Sequence, residues 1–127
     1  MEKQIEILKN AIVADYATFV KSFRDPENQV AKFADNITFH EGSKYIRVET
    51  ETSVWGFINK GNKKFKVGDL LKAAGRNAPA TNKARGNIFE TYSVAWTGPH
   101  YIAGYSAGGS RSEGLNRGRS VTVNGDV

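Results

Sequence analysis

The sequence predicts an α+β fold in which an N-terminal amphipathic helix packs on a meandering antiparallel β-sheet. Within residues 2–24, apolar side chains recur at helical spacing. From Asn36 onward the apolar period changes to two, which is typical of strands with one buried face. Short turns separate these alternating segments, so neighbouring strands are expected to form antiparallel hairpins. The 127 residues are predicted to form one domain, residues 1–105, followed by a flexible Gly-rich tail, residues 106–127.

The first helix is predicted over residues 2–24, about six turns. Its apolar face is expected to consist of Ile5, Leu8, Ile12, Tyr16, Phe19, Val20 and Phe23. Asp25 is a residue type that caps helices, and Pro26 suits the first helical position. These two residues therefore predict a short second helix over residues 26–34.

The first strands are predicted on either side of a turn at residues 41–43, with Ile46 and Val48 on the apolar side of the second strand. A tight turn at residues 51–52 would pair Val48 with Trp55 and Ile46 with Phe57. Cross-strand partners share a face, so these four side chains would form one apolar surface. That surface is expected to contact the N-terminal helix.

The register of the next hairpin has two alternatives. A two-residue turn at residues 61–62 would pair Ile58 with Phe65, whereas a three-residue turn at residues 60–62, with a bulge, would pair Phe57 with Phe65. The bulged turn is favoured because it collects the apolar side chains in one core. The outer face of the sheet would then carry Arg47, Gly56, Lys64 and Lys66.

The second half of the chain mixes short elements with a basic loop. Gly68 and Asp69 are expected to cap a short helix that ends near Gly75. Residues 76–87 contain Asn, Pro, Thr and Gly among cations, which predicts a basic loop. Residues 88–96 have strand composition, and residues 101–105 are expected to form a last edge strand. Beyond them, Gly, Ser and Arg predominate, which predicts the flexible tail.

Positive charge is concentrated in one segment. Residues 60–85 carry eight Lys and Arg residues and only one acid, Asp69, so this segment has a charge of +7 while the whole chain has +5. Charge concentrated in this way produces a local positive potential that attracts polyanions. The segment is therefore the most informative functional feature of the sequence.

The residue content argues against common enzyme chemistries. The chain has no cysteine, which excludes disulfides, thiol nucleophiles and thiolate metal sites. Its two histidines, His40 and His100, lie in no metal-binding motif, and the sequence has no phosphate-loop motif. We expect no catalytic residue, no metal and no cofactor. The N-terminus lacks an apolar signal region and no apolar run approaches roughly 20 residues, so a cytoplasmic protein without a membrane segment is predicted.

The basic segment predicts a nucleic-acid-binding protein. The residues expected to contact phosphates are Arg47, Lys63, Lys64, Lys66, Lys72, Arg76, Lys83 and Arg85. No long helix is predicted inside the basic segment, which argues against readout of the DNA major groove. A single strand, captured electrostatically with little sequence specificity, is the expected ligand.

Residues 66–80 (KVGDLLKAAGRNAPA) and 84–88 (ARGNI) resemble a block found in small, uncharacterised bacteriophage proteins, which also tend to carry a preceding hairpin similar to residues 39–58. The resemblance covers roughly residues 37–96 and brings no assigned activity. It implies phage origin and therefore the cytoplasm of a host cell.

Phage origin in turn supports an alternative function, a protein–protein interaction module. Such a module would be a virion or assembly component, or an inhibitor of a host protein. Its basic surface would dock an acidic partner surface.

Overall fold

The computed structural model describes residues 2–51, 53–60, 64–81, 83–99 and 121–125, and its fold is α+β. The described residues contain two helices, α1 (Glu2–Phe19) and α2 (Pro26–Asp35). Their strands are β1 (Thr38–Glu41), β2 (Tyr45–Glu49), β3 (Val54–Asn59), β4 (Asp69–Leu71), β5 (Ala73–Gly75), β6 (Ala78–Pro79), β7 (Gly86–Asn87), β8 (Thr91–Ala95), β9 (Gly98–Pro99) and β10 (Val121–Asn124). Neither described helix is long and apolar enough to cross a membrane.

The N-terminal helix is confirmed but is shorter than predicted, because it ends at Phe19. The chain then turns so that α2 packs against α1, and the rings of Tyr16 and Phe33 stack with their centroids 4.0 Å apart. Phe23 lies beyond the helix and is 47% exposed, so it does not join the buried face. Asp25 precedes α2 as predicted, but its φ is 56° and its side chain makes no capping hydrogen bond.

The main sheet has five strands in the order β1-β2-β3-β4-β7, and all neighbours are antiparallel. The predicted meander is thus present in β1 to β4, with the β5–β6 hairpin inserted before β7. Ile46, Ile58 and Leu70 lie opposite one another and form a row on the inner face. They are buried in one core with Leu8 and Ile12 of α1.

The register between β2 and β3 differs from the prediction. The Thr50 amide donates a hydrogen bond to the Ser53 carbonyl at 2.9 Å, as the predicted tight turn requires. A bulge at the end of β2 then shifts the pairing by one residue, so Phe57 lies opposite Arg47. A shift by one residue reverses the face of every side chain, and Phe57 therefore lies on the face opposite to Ile46. The prediction that these two share the core face was wrong.

Strand β4 replaces the predicted short helix. Leu70 and Leu71 are both fully buried. A strand buries consecutive side chains on its two faces, and here Leu70 faces the core while Leu71 lies opposite Phe57. Asp69 does not cap a helix. Its carboxylate instead accepts a hydrogen bond from the Lys66 amide at 2.9 Å, which closes the loop before β4.

Residues 64–68 form a loop and not the predicted strand. The buried Asn59 amide holds this loop, because its Nδ2 donates to the carbonyl oxygens of Phe65 and Lys66 at 3.0 and 2.9 Å. Strand β3 pairs with β4, so the predicted pairing with Phe65 is absent, and Lys64 and Lys66 do not share a sheet face with Arg47. The turn proposed at residues 61–62 lies outside the described residues.

The second sheet has the order β10-β8-β9 and contacts both α1 and the main sheet. Trp55 joins the two sheets, because its indole Nε1 donates to the Ala95 carbonyl at 2.8 Å. A Cβ atom on Gly56 would lie 3.1 Å from the Pro99 ring, so glycine permits the close approach of β9 to β3. Gly56 therefore faces the second sheet and not the outer surface predicted for it.

Residues 121–125 belong to the domain and not to a tail. Strand β10 pairs with β8, and Val123 is buried in the core. The Gly125 amide donates to the Glu90 carbonyl at 2.9 Å. The predicted tail boundary is therefore wrong for this strand, whereas residues 106–120, 126–127 and the edge strand proposed at residues 101–105 lie outside the described residues.

Candidate nucleic-acid interface

The outer face of the main sheet is partly covered by the β5–β6 hairpin. The residues directly opposite one another on this face are His40, Arg47, Phe57 and Leu71, from β1 to β4. Strand β5 contacts β3, and Phe57 and Leu71 are buried although they lie on the outer face. The predicted basic loop is thus divided, since Arg76 and Asn77 form the turn of this hairpin while residues 86–87 form β7.

Contacts from the hairpin turn position Arg47. The Arg47 Nη1 donates to Asn77 Oδ1 at 2.8 Å. This contact joins residues 30 positions apart and sets the guanidinium at the rim of a cleft. The other side of the cleft is formed by the β1–β2 turn, where the Gly42 amide donates to the Tyr45 carbonyl at 2.8 Å.

The cleft, here called the outer-face cleft, has a volume of about 270 Å³. It is lined by His40, Gly42, Ser43, Lys44, Tyr45, Arg47, Phe57 and Asn77. Tyr45 is half-buried, and its ring packs edge-on against Phe57 at 6.0 Å. The lining thus combines cations, an amide, two hydroxyl groups and the rings of Tyr45 and Phe57.

Glu49 lies beside the cleft among three nitrogen groups. Its carboxylate is 2.6 Å from Arg47 Nε, 3.5 Å from Arg76 Nη2 and 3.6 Å from His40 Nε2. The Glu49 side chain is only 14% exposed, whereas that of Arg76 is 68% exposed. Two residues predicted from the sequence, Arg47 and Arg76, are therefore brought together by their shared contact with Glu49.

Lys44 is the most available cation of the cleft. It is exposed, and its ammonium makes no ion pair or hydrogen bond within the described part of the chain. Lys44, Arg47 and Arg76 outweigh Glu49 by two positive charges. The outer-face cleft therefore keeps an excess of positive charge after its internal ion pairs are counted.

Of the predicted residues that the structure describes, only Arg47 lines this cleft, and Arg76 lies beside it through its contact with Glu49. Lys64 lies over the Phe65 ring, 5.7 Å from its centroid, and Lys66 forms an ion pair with Glu90 at 3.5 Å. Lys72 lines a second cleft of about 220 Å³. Lys83 and Arg85 are half-buried near β7, and Lys63 lies outside the described residues.

The sequence reasoning missed His40, Lys44, Tyr45 and Asn77. His40 had a partial signal, because the predicted hairpin places its strand beside the strand of Arg47, but a turn at residues 41–43 does not give the observed pairing of His40 with Arg47. Lys44 lies outside the basic segment and was therefore not included. Asn77 had no local signal, because its contact with Arg47 depends on how the hairpin folds over the sheet.

Tyr92 shows why composition alone does not identify stacking residues. It lies in strand β8 and is only 4% exposed, so it belongs to the core. Burial raises its pKa to about 12. Tyr45 is the aromatic ring that the outer-face cleft presents instead.

Within the described ranges, no three His, Asp or Glu side chains are grouped as a metal site. No protein-family model, curated protein or solved structure matches the chain.

Proposed function

We propose that this protein is a non-enzymatic binder of single-stranded nucleic acid and that the outer-face cleft is its central contact. The observation that carries the proposal is the excess of positive charge from Lys44, Arg47 and Arg76 beside the ring of Tyr45. Proteins that bind single strands combine cations along the backbone path with aromatic rings that stack on bases.

The size of the cleft limits what it can hold. Pockets for small molecules have volumes of roughly 300 to 1,000 Å³. The outer-face cleft, at about 270 Å³, is slightly smaller than these, so it would hold one nucleotide unit of a longer strand. In the proposed complex, Lys44, Arg47 and Arg76 contact phosphate oxygens, and a base packs against Tyr45.

The remaining predicted cations act at a distance in this proposal. Lys64, Lys72 and Lys83 lie outside the cleft and would attract the strand on either side of it. Attraction of this kind depends on salt and reads little sequence.

A salt titration tests the proposal with a fluorescently labelled dT oligonucleotide of 12 nucleotides and anisotropy as the readout. Each phosphate contact contributes about −0.7 to the slope of log affinity against log salt for single strands. Three contacts, by Lys44, Arg47 and Arg76, predict a slope near −2, on the order of 0.7 for each contact. The absence of binding at low salt would overturn the proposal.

A matched pair of variants locates the contact. Lys44→Gln is expected to weaken binding and to reduce the salt slope by about 0.7, because one phosphate contact is lost. Lys3→Gln removes the same charge from the exposed start of α1 and is expected to leave the slope unchanged. Equal effects of the two variants would contradict a contact at the cleft.

A second candidate function is protein–protein interaction, and exposed aromatic rings favour it. Phe19 is 38% exposed and Phe23 is 47% exposed, with their centroids 5.3 Å apart. Phe19 also lies 4.9 Å from Trp96. Exposed aromatic rings in contact with one another are typical of surfaces that bind proteins. An acidic partner would contact the basic outer face as well.

Affinity purification separates the two candidates. Material should be purified with and without nuclease, from infected cells if the chain is phage-encoded. A stoichiometric protein that remains after nuclease treatment and is lost in a Phe19→Ser, Phe23→Ser variant would favour the second candidate. Bound nucleic acid that is lost in Lys44→Gln would favour the first.

A further inference from the structure

We propose that Glu49 is the internal occupant of a phosphate subsite formed by His40, Arg47 and Arg76, and that one phosphate of a bound strand displaces its carboxylate. This inference rests on the proposed function, since it assigns a role to the acid beside the same cleft. The ligand group is a phosphate of single-stranded nucleic acid. The carboxylate competes with it and therefore lowers the affinity of the protein.

Nitrogen groups from three separate segments converge on the Glu49 carboxylate. His40 belongs to β1, Arg47 to β2 and Arg76 to the β5–β6 turn, yet all three reach the Glu49 carboxylate within 3.6 Å. Guanidinium groups bind carboxylate and phosphate with the same planar donor geometry. A group of donors arranged around a carboxylate is thus also arranged for a phosphate.

Part of this arrangement does not depend on Glu49. Arg47 Nη1 donates to Asn77 Oδ1 at 2.8 Å, so the guanidinium keeps one fixed contact when the carboxylate leaves. His40 Nε2 lies 3.1 Å from Thr38 Oγ1, which orients its ring independently of the acid. The subsite is therefore partly held in place before a phosphate arrives.

Glu49 has one close contact and two long ones. The close contact, with Arg47 Nε at 2.6 Å, joins side chains that are only 26% and 14% exposed, and the phosphate must replace it. The contacts of Glu49 with Arg76 and His40 are 3.5 and 3.6 Å long, and those partners are 68% and 50% exposed. Exposed ion pairs of this kind contribute little free energy. The register shift between Val48 and Glu49, where Trp55 of β3 is the extra residue, also interrupts the ladder next to Glu49.

The test compares Glu49→Gln with a matched control, Glu51→Gln. Both substitutions keep the shape of the side chain and remove one negative charge. Glu51 is exposed and pairs with Lys32 at 3.9 Å, away from the outer-face cleft. Glu49→Gln is expected to bind the labelled dT oligonucleotide about fivefold more tightly than the wild-type chain does. The affinity of Glu51→Gln is expected to differ from that of the wild-type chain by less than about twofold.

A double-mutant cycle with Arg76→Gln provides a second measurement. In the wild-type chain Arg76 is partly neutralised by Glu49, so its loss should reduce affinity only modestly. In the Glu49→Gln background Arg76 should contact the phosphate fully, and its loss should reduce affinity by a larger factor. Because Arg76 is largely exposed, its substitution is expected to leave the fold intact.

The outcomes separate this inference from the proposed function. If the wild-type chain binds the oligonucleotide but Glu49→Gln binds no more tightly than Glu51→Gln, the subsite is overturned and the proposed function stands. An equal effect of Arg76→Gln in both backgrounds overturns it as well, and so does a Glu49→Gln chain that fails to fold. If neither the wild-type chain nor any variant binds at low salt, the proposed function itself fails.

Discussion

The Asp15 carboxylate accepts a hydrogen bond from the Trp96 backbone amide at 2.9 Å, across 81 positions of sequence. Asp15 lies on the buried side of α1 and is only 3% exposed, whereas Trp96 begins the turn between β8 and β9. This contact fixes the helix on the second sheet. The buried Asp15 carboxylate therefore has a structural role, and it is not part of the candidate site.

Replacement of Asp15 should therefore destabilise the protein. Asp15→Ala leaves the Trp96 amide without its partner, and we expect a loss of about 2 kcal/mol in the free energy of unfolding. Asp15→Asn keeps an acceptor oxygen, so its free energy of unfolding should decrease less. Urea unfolding monitored by circular dichroism measures both, with the exposed Asp35→Ala as control. Equal stability of Asp15→Ala and the control would contradict this role.

Asn87 should also be a strong determinant of stability. Its buried amide donates to Asp69 Oδ1 at 2.9 Å and to the Val67 carbonyl at 3.0 Å, and its oxygen accepts from the Phe89 amide at 2.8 Å. Asn87→Ala removes all three bonds and leaves the Asp69 carboxylate partly unpaired, so we expect a loss of about 3 kcal/mol. The same unfolding measurement on the exposed Asn28→Ala serves as control. A loss below about 1 kcal/mol would show that water replaces the network.

Gly125→Ala tests whether the strand near the C-terminus belongs to the domain. A Cβ atom at Gly125 would lie 1.9 Å from the Ile88 carbonyl oxygen, so the backbone must shift. We expect a loss of about 2 kcal/mol or more in unfolding free energy. Gly75→Ala is the matched control, because a Cβ atom there meets no atom within 4 Å. A flexible tail would instead make the two variants equally stable.

The Tyr92 hydroxyl gives a prediction in alkaline solution. Burial raises the pKa of Tyr92 to about 12, above the value near 10 expected for the unfolded chain. As pH rises, the Tyr92 hydroxyl therefore loses its proton first in the unfolded state, which favours unfolding. The contribution of the neutral Tyr92 hydroxyl to the free energy of unfolding is fully present below pH 10 and is lost as pH rises from 10 to 12. Between pH 9 and pH 11, the free energy of unfolding should fall by about 1 kcal/mol more for the wild-type chain than for Tyr92→Phe.

The same variant has a second expected effect at neutral pH. The Tyr92 hydroxyl is buried and has no hydrogen-bond partner among the described residues. Removing an unpaired buried hydroxyl removes a desolvation penalty, so Tyr92→Phe should be as stable as the wild-type chain or more stable by about 1 kcal/mol. Thermal unfolding at pH 7 measures this difference in stability between Tyr92→Phe and the wild-type chain. A clear loss of stability in Tyr92→Phe would indicate that the hydroxyl has a hydrogen-bond partner.

The sequence by itself determined the class of the fold, the start of both helices, the first hairpin and the location of the charge. These features are local, because apolar period and turn chemistry act over a few neighbouring residues. The β1–β2 hairpin follows from such a turn, although its register, with His40 opposite Arg47, does not. Arg47 and Arg76 are both among the cations predicted from the sequence, whereas their shared contact with Glu49 depends on the tertiary structure.

Only the tertiary structure decided the register, the strand β4 and the composition of the outer-face cleft. A bulge of one residue reversed the face of Phe57, and burial on two faces made residues 69–71 a strand. The contact between Arg47 and Asn77, and the pairing of β10 with β8, join residues about 30 positions apart. Such contacts depend on the free energy of packing distant segments together, for which no local pattern of residues gives a signal.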